Sequence, residues 1–224
     1  MLFRTLIRVW RGKTFLSEIL ELFEKMLQDG EWMFRTTKGI FLEERDLVQA
    51  RADLRERDVK VNKRERKIRK KLVRHISMNP EQETVAALVV MSVVKDAERI
   101  GDYCKNLLEV GELLEKPVSG TWRAVFSRLF SDVEVLFPLT RSAFVETSKE
   151  HAQRVLEEDY RIADVCDEKL GVLARSDLSP NAAVCYALVS RYLKRVAAHL
   201  GNIASAVVQP VHKIDYFGDR KSRE

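Results

Sequence analysis

The sequence predicts an all-α protein of two tandem three-helix bundles, preceded by a short N-terminal amphipathic helix. Only nine Gly and five Pro interrupt 224 residues, which is too little punctuation for the many turns of a sheet protein. Long stretches rich in Leu, Val, Ala, Glu, Lys and Arg favour helices, and the same order of elements occurs twice. The predicted units are residues 1–15, the N-terminal helix; 16–117, repeat 1; 118–210, repeat 2; and 211–224, a polar tail.

Repeat 1 contains three predicted helices. The first covers residues 17–44 and is expected to break near Gly30. The second is highly charged and covers 45–76. After a turn that contains Pro80, the third covers 84–115.

Repeat 2 follows the linker 116–120, which contains Pro and Gly, and shows the same order of elements. Its predicted helices are 121–148, a charged helix 149–175 and, after a turn with Pro180, a helix that ends near 208. The segment ERIGDYCKN of the third helix in repeat 1 aligns with KRVAAHLGN of the last helix. The shared order and this alignment indicate an internal duplication.

The first residues predict a basic amphipathic helix, and the chain is expected to be cytoplasmic. Arg4, Arg8 and Arg11 share one side, opposite an apolar side that either packs on the protein or docks on a membrane or membrane protein. No signal sequence or membrane span is evident. Three scattered cysteines fit a reducing compartment, and a net charge of +5 weakly favours an anionic partner.

Two faces of the predicted repeat 1 helices carry oxygen ligands. Residues four apart on a helix are neighbours, so Glu98 and Asp102 lie side by side, and Asp58, Asn62 and Glu65 share a face of the preceding helix. If the two faces meet, they suit one hard metal ion or a small cluster of magnesium, calcium, manganese or iron. The alternative is that each carboxylate is solvated or paired with a neighbouring cation, namely Lys95, Arg99 or Lys105.

The segments AERIGDYCKNL and RERDVKVNKRERKI resemble the metal motifs of the PhoU family. That resemblance covers nearly the whole chain from about Phe15 to Val208. It implies duplicated three-helix bundles with carboxylate motifs on the second and third helices of each repeat. It also implies an accessory protein of phosphate signalling or phosphate transport that binds iron or another metal and contacts a phosphate transporter or a sensor kinase.

The match to the family motifs is uneven between the repeats. Glu98, Asp102 and Asp58 match, whereas Asn62 offers only a neutral amide where a carboxylate is common. In repeat 2, Lys194 and Ala198 replace the acidic pair, and in the other motif the fourth residue after Asp159 is Ala163. One metal site in repeat 1, or none, is therefore expected, with Lys194 placing a positive charge where repeat 2 would hold a cation.

The basic run 60–74 offers a candidate partner surface through Lys67, Lys70 and Lys71, together with the N-terminal arginines. A helical nucleic-acid-binding protein that uses this run is the alternative function, although the run contains no aromatic residue for stacking on bases. His199 is expected to be packed or interfacial. No nucleophile lies in a catalytic motif, so we predict a protein that is not an enzyme. Whether it forms a homodimer stays open.

Overall fold

The computed structural model describes residues 14–43, 46–78 and 84–214. The predicted N-terminal helix and most of the polar tail lie outside these residues. The described residues form six long helices and a final 3₁₀ turn, with no strand, which confirms the predicted all-α class. In chain order they are α1 Thr14–Glu43, α2 Leu47–Met78, α3 Thr84–Leu113, α4 Gly120–Val145, α5 Lys149–Leu173, α6 Pro180–Val208 and the turn Val211–Lys213.

The predicted break near Gly30 is wrong, because α1 continues through it. A Cβ on Gly30 would lie 3.3 Å from Cγ2 of Ile100, so this glycine lets α1 approach α3 closely. Gly30 therefore marks a close contact between two helices and not the end of a helix.

The predicted turn before the last helix is correct and has a clear local cause. Pro180 occupies the first turn of α6, where its missing N–H costs no hydrogen bond, and the Ser179 hydroxyl accepts from the backbone N–H of Ala182. Ser148 caps α5 in the same way through the N–H of His151.

The two sets of three helices pack against each other through α1 with α4 and through α3 with α6. Aromatic side chains fill the α1/α4 contact: the Phe34 ring lies 5.5 Å from that of Phe130 and 5.4 Å from that of Phe137 between centroids. One hydrophobic core therefore runs through all six helices. Within the described part of the chain, no helix combines the length and the hydropathy needed to span a bilayer.

Candidate functional site

The two predicted oxygen-rich faces meet between α2 and α3, and a lysine lies between them. The ammonium of Lys105, on α3, is 3.0 Å from Oδ1 of Asp58 on α2 and 3.0 Å from Oδ1 of Asp102. Arg99 makes a longer contact of 3.4 Å with the other oxygen of Asp102. Two of the carboxylates that the sequence assigned to a metal ion, Asp58 and Asp102, are thus bridged by a cation of the chain itself.

The other predicted ligands also have partners. Glu98 is buried and accepts from the Lys95 ammonium at 2.5 Å, and Glu65, also buried, pairs with Arg69 of its own helix at 3.2 Å. Asn62 donates its amide nitrogen to Oδ2 of Asp58 at 3.1 Å. Each of the five predicted ligands therefore already makes a polar contact within the chain.

The lysine between the helices is held in its charged form. Burial disfavours the ammonium, but hydrogen bonds with Asp102 and Asp58 outweigh that effect and raise the pKa of Lys105. Lys105 consequently stays cationic at any physiological pH.

This arrangement does not fit a metal ion as it stands. Magnesium, calcium, manganese and ferric iron need several carboxylate or carbonyl oxygens directed at one point. Among the residues that the structure describes, no group of three or more His, Cys, Asp or Glu side chains is placed to hold one. The geometry agrees with the alternative expectation from the sequence, in which Lys95, Arg99 and Lys105 neutralise the carboxylates. A metal in repeat 1 stays a prediction.

In repeat 2, a lysine again links the second and third helices. Lys194 of α6 lies 2.7 Å from both oxygens of Asp167 on α5. Asp159 lies against Gly201, where an added Cβ would be only 2.8 Å from Oδ2 of Asp159. Burial raises the pKa of the Asp159 carboxyl to about 6, although the charges of Lys194 and His199 act in the opposite direction.

A polar cluster joins the two repeats across α3 and α6. Oδ1 of Asp96 lies 2.8 Å from Nδ1 of His199 and accepts from the side-chain amide of Asn202 at 2.9 Å. The His199 ring stacks on Tyr103, whose hydroxyl accepts from Nε of Arg195 at 3.1 Å. His199 is thus interfacial, which is one of the two placements that the sequence predicted.

The family comparison agrees with both repeats. The family model described as PhoU domain matches residues 18–110 and 126–207, most of the chain. The chain belongs to the PhoU family.

Two solved structures have the same fold as this PhoU chain. PhoU from Pseudomonas aeruginosa superposes with a TM-score of 0.78 at 20% identity, over 87% of this chain and 95% of that one. The phosphate transport system regulatory protein PhoU from Streptococcus pneumoniae has a TM-score of 0.71 at 18% identity, again over 87% and 95%. No curated protein matches.

The predicted partner-binding lysines of this PhoU chain differ in whether they pair with a carboxylate. Lys67 and Lys71 both contact Glu18 of α1, at 3.2 and 2.7 Å. Lys70 is exposed. Arg4, Arg8 and Arg11 lie outside the described residues.

Asp96 was not among the predicted site residues, although the sequence carries a signal for it. Asp96 lies three residues after Val93 and four before Ile100, and both of these are fully buried. A carboxylate at core spacing within an apolar helix requires a buried partner. The partner could not be named, because it belongs to the other repeat.

Proposed function

We propose that this PhoU-family protein is a non-enzymatic regulator of phosphate transport or phosphate signalling, which acts by docking on a phosphate transporter or a sensor kinase. The family match over both repeats supports the regulatory role. One structural relative is itself named a phosphate transport system regulatory protein. Docking does not require a metal, and no step of the proposal depends on one.

One exposed side of α2 carries the docking proposal. Five cations lie along it, and none has a carboxylate within 4.0 Å among the described residues. Successive cations are eight, three, four and four residues apart, so they share a side of the helix, and all five are exposed. We call this the α2 cationic face: Arg55, Lys63, Arg66, Lys70 and Arg74.

Apolar side chains lie among these cations. Val59 is 43% exposed and Val73 is 56% exposed, and Val48 at the start of α2 is 82% exposed. Because these cations extend from residue 55 to residue 74 of α2, the face is about 29 Å long. Exposed valines beside cations that have no carboxylate partner among the described residues suit an acidic protein surface that also offers apolar contacts.

The cations of α2 that were predicted to bind partners do not all belong to this face. Lys67 and Lys71 are engaged by Glu18, whose pKa is lowered by hydrogen bonds from Lys71 and Lys67. Of the three, only Lys70 has no carboxylate within 4.0 Å among the described residues, and it belongs to the α2 cationic face.

Nucleic-acid binding is the second candidate function, and the same cations would carry it. The absence of aromatic residues from α2 argues against a groove for single strands, whereas binding to a duplex backbone needs only positive charge. The two candidate functions predict different partners, and binding to nucleic acid should weaken steeply as the salt concentration rises.

The test is complementation of a strain that lacks the gene. Lys63, Lys70 and Arg74 are replaced by Gln together, and the control replaces Arg123, Arg128 and Arg191, three exposed arginines of α4 and α6, by Gln. Phosphate uptake and the transcription of a phosphate-responsive reporter are measured. We expect the control to restore normal regulation and the α2 variant to fail.

Two results would contradict the proposal. Normal regulation by a stably expressed α2 variant would exclude docking through this face. Tight, steeply salt-dependent binding to duplex DNA that is lost in the α2 variant would favour the nucleic-acid candidate instead.

A further inference from the structure

We propose that a lysine of the chain itself serves, in each repeat, as the counterion between the second and third helices that the family resemblance assigns to a metal ion. The residues are Lys105 in repeat 1 and Lys194 in repeat 2. The stability of this PhoU-family bundle then does not depend on bound metal. The inference is independent of the docking proposal.

In repeat 1 the ammonium lies between the carboxylates of the two helices. Lys105 makes two contacts of 3.0 Å, one with Asp58 across the helix pair and one with Asp102 on its own helix. The side chains of Lys105 and Asp58 are only 37% and 15% exposed, so solvent screens their attraction incompletely. A cation entering this point would have to displace the ammonium.

In repeat 2 the same link is made from a different position. Lys194, which aligns with Glu98, has an ammonium where repeat 1 has a carboxylate, and it contacts both oxygens of Asp167 on α5 at 2.7 Å. The residue that aligns with Lys105 is Gly201, which has no side chain to offer. Each repeat therefore supplies one lysine that links its second and third helices, but the two lysines occupy positions that do not align.

The surrounding cations reinforce this effect in repeat 1. Lys95 contacts Glu98 and Arg69 contacts Glu65, so the remaining carboxylates of the two faces are also neutralised. A divalent cation binds oxygen clusters largely because they carry uncompensated negative charge. The chain has compensated that charge internally.

The test uses purified protein, prepared without chelator or affinity nickel. Its metal content is measured by elemental analysis, and its melting temperature is compared in EDTA and in millimolar Mn²⁺. We expect wild-type protein to be free of metal and to melt at the same temperature in both. Stoichiometric metal that is lost in the Glu98→Gln, Asp102→Asn double variant, or a clear rise in melting temperature with Mn²⁺, would overturn the proposal.

The variants Lys105→Met and Lys194→Met keep most of the side-chain bulk and remove the charge. We expect each to lower the melting temperature in EDTA by about 2–6 °C, whereas Lys149→Met, at an exposed position of α5, should not. Mn²⁺ should partly restore Lys105→Met, because Asp58 and Asp102 are then free to bind it. This rescue should disappear when Asp58→Asn and Asp102→Asn are added.

An unchanged melting temperature in both lysine variants would contradict the proposal. If Lys105→Met does not fold, the metal content of wild-type protein and its response to EDTA still decide the question.

Discussion

Asp159 of α5 and Gly201 of α6 lie in direct contact, so closely that a Cβ on Gly201 would come within 2.8 Å of Oδ2 of Asp159. The close approach of the two helices keeps water away from the carboxyl and raises its pKa to about 6. In repeat 1 the aligned position is Lys105, which offers an ammonium to Asp58 instead. The difference between lysine and glycine at this aligned position thus gives Asp58 and Asp159 different environments.

The Asp159 carboxyl should make the stability of the protein depend on pH. Its folded-state pKa of about 6 exceeds the ordinary value of 3.8, so between these values the folded state holds a proton that the unfolded state has lost. The free energy of unfolding should therefore fall as the pH rises from about 4 to about 6, and the loss should persist at higher pH.

Asp159→Asn removes this titration. Wild type should lose stability as the pH rises and the variant should not. We therefore expect the free energy of unfolding of the variant, minus that of wild type, to increase by about 2–3 kcal/mol from a pH of about 4 to a pH of about 7, as measured by urea denaturation. Glu157→Gln, at an exposed position of α5, is the control. A difference between Asp159→Asn and wild type that stays constant with pH would show that Asp159 is not the titrating group.

Two glycines of the third helices should respond differently to alanine. A Cβ on Gly101 would meet Oδ1 of Asp58 and Cε of Met33 at 3.7 Å, an ordinary contact, so Gly101→Ala should be neutral or gain up to about 1 kcal/mol of helix propensity. Gly201→Ala must displace the half-buried Asp159 carboxyl and should cost about 1–2 kcal/mol. Thermal and urea denaturation measure both.

The cost at Gly201 should depend on Asp159. When Asp159→Ala is present, adding Gly201→Ala should no longer destabilise the protein, because the displaced atoms are gone. A cost that persists in this background would place the clash elsewhere.

Asp96 should contribute to the contact between the repeats. Asp96→Ala removes the acceptor of Asn202 and the partner of His199, both in a largely buried setting, and we expect a loss of about 1–3 kcal/mol in urea denaturation. Glu109→Ala, at an exposed position of the same helix, should change stability by less than about 0.5 kcal/mol. Equal effects of the two substitutions would contradict the role of Asp96.

Much of the fold could be predicted from the sequence, because its signals are local. Helical spacing, the turns with Pro80 and Pro180, and the repeated order of elements indicate the helices within a few residues. Gly30 misled the prediction, since a glycine that permits close packing looks the same in sequence as one that ends a helix.

The candidate site could be predicted only in part. Spacing placed Asp58, Glu98 and Asp102 on facing helices, but it could not show which cation lies between them. In the same way, only the position of Glu18 on α1 shows that Lys67 and Lys71 have a carboxylate partner. These distinctions depend on contacts between elements far apart in the chain.

Photo-crosslinking in cells tests the docking proposal most directly. A photoreactive amino acid replaces Lys70 on the α2 cationic face or, as a control, Arg191 on α6, and the crosslinked partners are identified by mass spectrometry. We predict that position 70, and not position 191, crosslinks to a component of a phosphate transporter or to a phosphate-sensing kinase. Crosslinks from position 70 to nucleic acid, or the same partners from both positions, would contradict docking through α2.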